Sequence, residues 1–163
     1  MKCKRLQLMV VLGAGIALLL ASVGIYAATT VPDVIKMSDK AYKKHKKPIV
    51  VFHHKNHAEV YAKKYPDLYK NGCGECHHDK DHKPLKNLKP TDKVQRCIAC
   101  HKIPGERPKG HGAKKLTKKE RLKYHAEAMH YNCKGCHRAY NKKYKPSKDK
   151  KAPTTCKACH AKK

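Results

Sequence analysis

The chain has no tryptophan and one phenylalanine, Phe52, in 163 residues. It is short of acid as well, with 12 aspartates and glutamates against 39 lysines and arginines, for a formal net charge of +27. A sequence so basic and so poor in large apolar side chains cannot build an ordinary hydrophobic core. Either much of it is disordered, or something other than side chains supplies the apolar mass. Nine cysteines and thirteen histidines point to the second reading, because both residue types bind cofactors.

One segment lacks charge altogether. After a short positive start at Lys2, Lys4 and Arg5, no charged residue occurs from Leu8 to Ala28. Residues 1–28 therefore read as a secretory signal peptide or an uncleaved N-terminal membrane anchor, since the run is long enough to span a bilayer. Either way the remainder is expected outside the cytoplasm, in a periplasmic space. Residues 29–47 read as a basic linker and 48–163 as the cofactor-bearing domain.

Eight of the nine cysteines fall into four pentads of the pattern Cys-x-x-Cys-His. They are Cys73-Gly-Glu-Cys76-His77, Cys97-Ile-Ala-Cys100-His101, Cys133-Lys-Gly-Cys136-His137 and Cys156-Lys-Ala-Cys159-His160. This is the c-type haem attachment signature. Two thiols three positions apart reach the two vinyl groups of one haem edge, and the following histidine supplies an axial nitrogen to the iron. Paired Cys-x-x-Cys units about twenty residues apart also suit zinc ribbons, and disulfides suit any exported chain. Neither explains a histidine after every second cysteine.

Four covalent haems resolve the compositional puzzle, because each porphyrin is a large apolar plate. The expected fold is small and mostly irregular or α, with a few short helices wrapped around a compact four-haem core and little strand. Stability then depends on the cofactor, as it does in small metal domains.

Each iron needs a sixth ligand. Nine histidines remain: His45, His53, His54, His57, His78, His82, His111, His125 and His130. Met129 is the one methionine well inside the domain, so two histidines per iron is the economical assignment. Without a methionine ligand to raise them, the potentials should be low. Adjacent His77 and His78 cannot reach one iron from opposite faces but can hold two neighbouring haems. His54 and His57 lie one helical turn apart and can do the same. Thr117-Lys-Lys-Glu120 reads as a capping box opening a helix to about Tyr131. His125 and His130 flank its apolar stripe, Leu122, Ala126 and Met129, and helical geometry does not choose between them.

Several elements resemble the class III c-type cytochromes, the tetrahaem cytochrome c3 family. They are Val51-Phe52-His53-His54-Lys55-Asn56-His57, the doubled histidine of Cys76-His77-His78, and Ala128-Met129-His130. The resemblance covers about Pro48 to His160. It implies that His54 faces the haem of His77, His57 that of His137, His78 that of His101 and His130 that of His160. His45, His53, His82, His111 and His125 are then surface histidines. Two departures stand out: all four pentads have two residues between the cysteines, and only Tyr131 and Asn132 separate His130 from Cys133.

The positive charge is expected to steer an acidic redox partner or to favour an anionic membrane surface. Export argues against nucleic acid. The resemblance implies hydrogenase or membrane multihaem cytochrome partners in anaerobic respiration, docking near the fourth haem, where Lys157, Lys162 and Lys163 lie. The expected role is a carrier with no catalytic residue. The alternative is a membrane-anchored tetrahaem quinol dehydrogenase subunit, in which the apolar segment is the anchor.

Overall fold

The structure, a computed structural model, describes residues 32–161. The apolar segment expected as signal peptide or anchor, together with Lys162 and Lys163, lies outside them. Among the described residues no helix is long and apolar enough to cross a membrane.

Regular structure is sparse. Strands β1 (Val34–Lys36) and β2 (Val51–His53) form one antiparallel pair, with Ile35 opposite Phe52. A π-helical turn, Asn56–Tyr61, runs on into the three residues of α1 (Ala62–Lys64). Short 3-10 turns follow at Pro66–Leu68, Gly72–Glu75 and Cys97–Ala99. Helix α2 (Lys118–Arg121) precedes the longest described element, α3 (His125–Tyr144), and α4 (Cys156–Cys159) is the last one described. This is the small, mostly irregular and helical fold that the composition predicts.

The stretch expected as a linker carries structure. β1 lies within it, the Lys55 N–H donates to Asp33 O, and Arg96 pairs with Asp39 at 2.6 Å. Lysines dominate the stretch and disguise it as solvated chain, yet it supplies backbone hydrogen bonds to the edge of β2.

The helix expected from Thr117 to about Tyr131 is two helices. Its capping box forms as read, with Glu120 N–H donating to Thr117 Oγ1 and Thr117 N–H donating to the Glu120 carboxylate. The chain then breaks at Tyr124, which is extended. The competitor is the segment 103–105. Ile103 N–H donates to Lys123 O, while His125 N–H and Ala126 N–H donate to Ile103 O and Gly105 O. Two of the unpaired donors at the start of α3 are thereby satisfied from outside the helix. At the far end, Lys145 takes a left-handed φ of 43° ahead of Pro146, which cannot continue the helix.

Among the described residues no hydrophobic side chain is buried, and no polar one either. The single buried residue is Gly74. The described residues therefore have no hydrophobic core of their own.

Candidate cofactor-binding site

Every pentad closes one turn of chain. His77, His101 and His160 donate their backbone N–H to the carbonyls of Cys73, Cys97 and Cys156, at 3.0, 2.9 and 2.8 Å. The third pentad does the same inside α3. One turn sets both thiols and the histidine on the same side of the chain.

Each pentad histidine faces one other histidine across a gap. Ring centres are 6.4 Å apart for His54 and His77, 6.0 Å for His78 and His101, 6.3 Å for His57 and His137, and 6.4 Å for His130 and His160. These gaps are too wide for a direct nitrogen–nitrogen hydrogen bond. His77 and His78 turn to different partners, as do His54 and His57.

Five of these rings are pinned through Nδ1 to a backbone carbonyl. The acceptors are His53 O for His57 (2.9 Å), Asp79 O for His78 (2.7 Å), Leu122 O for His101 (2.5 Å), Pro153 O for His137 (2.7 Å) and Pro48 O for His160 (2.7 Å). A carbonyl can only accept, so the proton sits on Nδ1 and the Nε2 lone pair is free. Leu122 O is available to His101 because the chain leaves its helix there. Burial holds His57, His77 and His130 below the ordinary histidine pKa, which favours the neutral, ligating form.

A model of the class III cytochrome c family matches residues 30–160. The chain belongs to the class III cytochrome c family. Neither the curated proteins nor the solved structures yield a match to it. Class III cytochromes are electron carriers, typically periplasmic, and carry covalently bound haem c. The family match begins at residue 30, within the stretch read from the sequence as a linker.

The residues of this cytochrome fit haem. A metal between two Nε2 atoms, with bonds of about 2 Å and roughly 1 Å more to each ring centre, sets ring centres about 6 Å apart. The thiols keep some access to solvent, with Cys136 and Cys159 the more covered, while protein atoms crowd around several of them. Burial there, with Cys133 and Cys136 close by, pushes the Cys76 thiol up to about 12. Burial also raises Cys97, Cys133, Cys136 and Cys159. Among the described residues no three histidines, cysteines or acids converge as a metal cage, so the paired Cys-x-x-Cys units do not form a ribbon-type site.

The surplus histidines divide. His45, His53, His82 and His111 are exposed. His125 is half-buried, with Nδ1 2.9 Å from the Tyr42 hydroxyl. It therefore points into the N-terminal stretch, whereas His130, five residues along α3, faces His160. Sequence reasoning missed Tyr42, hidden in a lysine-rich run, and Glu106, whose Oε1 lies 3.6 Å from His130 Nδ1. In a chain so short of acid, a lone glutamate in the loop Pro104-Gly105-Glu106-Arg107-Pro108 was the available signal.

Proposed function

We propose that this cytochrome is an exported carrier of four haems, each iron held between two imidazoles and poised at low potential. The pairs are His54 with His77, His78 with His101, His57 with His137, and His130 with His160. Cys73 and Cys76, Cys97 and Cys100, Cys133 and Cys136, and Cys156 and Cys159 supply the thioethers. The observation that carries this reading is the set of four facing pairs at 6.0–6.4 Å.

Bound haem supplies a reversible one-electron iron couple, with its potential tuned by axial ligands and surroundings. The chain's own residues hold and orient it. The carbonyls of His53, Asp79, Leu122, Pro153 and Pro48 fix the tautomer of five rings and raise their basicity as ligands. The neighbours His77 and His78 link two sites through a single peptide bond, and His54 and His57 link two more. Imidazoles from both sides would leave no position on a bound iron for a substrate, which favours transfer over catalysis.

The positive field of the surface suits an acidic electron-transfer partner, such as a hydrogenase or a membrane multihaem cytochrome in anaerobic respiration. Lys157, in α4, is the described member of the expected docking group, with Lys162 and Lys163 beyond the described residues. Charge reversal at these three should slow reduction by the partner at low salt, and the difference should fade as salt rises.

The deciding experiment is the mass of the mature protein joined to its ferric spectrum. Four added haems and wholly low-spin iron are expected, with every midpoint below zero. The same mass reports whether the N-terminal segment is removed. A colourless protein, or a high-spin fraction, would overturn the reading.

A further inference from the structure

Of the eight paired histidines, five give their Nδ1 proton to a backbone carbonyl, a neutral acceptor. His130 differs: among the described residues it is the one paired histidine whose Nδ1 faces a carboxylate, Glu106 Oε1 at 3.6 Å. The contact is built by the fold. Ala126 N–H donates to Gly105 O at 3.0 Å, which ties the loop to the first turn of α3 one turn before His130. Gly105 has φ +93°, a backbone state that side-chain-bearing residues rarely adopt, and this turns the chain so that Glu106 reaches the helix. Lys109 Nζ holds the other carboxylate oxygen, Oε2, at 2.8 Å and steadies the side chain.

We propose that Glu106 is a positioning residue for His130, keeping the proton on its Nδ1 and lowering the potential of the haem attached at Cys156 and Cys159. The inference rests on the four-haem reading above. At 3.6 Å the contact is charge on dipole rather than a formed hydrogen bond. A carboxylate there has two effects of the same sign. It draws the Nδ1 proton and makes the imidazole a stronger donor, and its negative charge favours the more positive ferric state. Neither effect is present where the acceptor is a carbonyl. The Glu106 side chain is 46% exposed, so the effect is partly screened and should shrink as ionic strength rises.

The test uses the full haem-loaded protein. In Glu106→Gln one of four midpoints should move up while three stay in place, and one low-spin EPR signal should shift. NMR of the haem methyls should assign the moving centre to Cys156 and Cys159. Glu106→Asp, which keeps the charge at shorter reach, should show a smaller rise. Lys109→Ala should move the same midpoint down, because the carboxylate then loses its counter-charge. Four unmoved midpoints in correctly loaded Glu106→Gln, or a shift assigned to another haem, would overturn the proposal. Should Glu106→Gln fail to load, the opposite signs expected of Glu106→Asp and Lys109→Ala still decide it. A mass short of four haems in the wild type would instead refute the function on which the proposal stands.

Discussion

In the first pentad, Cys73 to His77 lies on a 3-10 turn packed against its own downstream loop. Gly74 is pressed so close to Pro84 that an added Cβ would sit 2.9 Å from the proline Cβ, and Leu85 N–H donates to His77 O at 2.9 Å. In the third, Cys133 to His137 lies in the middle of the twenty-residue α3, and Gly135 has nothing within 4 Å of where a Cβ would be. The pattern of residues is the same and so is the closing turn. What differs is the source of rigidity: packing of an irregular loop in one, a continuous hydrogen-bonded helix in the other. The pentad demands a single turn of chain, and its neighbours decide the rest.

The largest expected effect separates the two directly. Ala139→Pro removes a helical hydrogen bond of α3 and should cost about 3 kcal/mol or more. Thermal unfolding of the loaded protein would show the loss, with the His57–His137 site disturbed first. A single glycine inserted between Val94 and Gln95, ahead of the second pentad, should be tolerated far better, since that stretch is irregular. Next, Gly74→Ala forces the Pro84–Leu85 backbone away and should destabilise by about 1–3 kcal/mol in denaturant titration.

The glycine of the third pentad, one place further along the pattern than Gly74, should respond with the opposite sign. Gly135→Ala should stabilise by about 1 kcal/mol, because alanine is the better helix former. Ala99 and Ala158 occupy the same place in the second and fourth pentads, so the position accepts a methyl group. Equal effects at Gly74 and Gly135 would dissolve the contrast.

The smallest effect concerns the tie between the two regions. Asp67, in the 3-10 turn just before the first pentad, takes Lys143 Nζ at 2.5 Å and the Tyr144 hydroxyl from the end of α3. Lys143 first, then Tyr144, holds its carboxyl below the usual carboxylate range. Its contribution is complete above the unfolded pKa of about 4 and is lost as pH falls through the depressed folded value. Asp67→Asn should therefore be slightly less stable than wild type at neutral pH. The two should converge in acid, as thermal unfolding across pH would reveal.

Much of this was legible in the sequence because covalent chemistry writes itself in fixed spacings. The four pentads, and the shortage of apolar residues that calls for a cofactor core, needed no coordinates. The capping box at Thr117 and Glu120 was equally plain. The break at Tyr124 was not, because its cause is a partner segment, residues 103–105, about twenty positions away. The role of the stretch before Pro48 was hidden for a related reason. Its lysines set its composition, whereas its backbone and the Asp39 and Tyr42 side chains set its contacts. Geometry on one helix could not separate His125 from His130, since the distinction lies in what each faces: Tyr42 for one, His160 for the other.

That no side chain among the described residues is buried has a consequence for how the protein is made. A bare chain has nothing to collapse around, so maturation and folding become one event. Each attachment adds a piece of the interior, and a chain that misses one stays open along that stretch. Such a chain should be cut by added protease along the unloaded stretch well before the fully loaded protein is cut there.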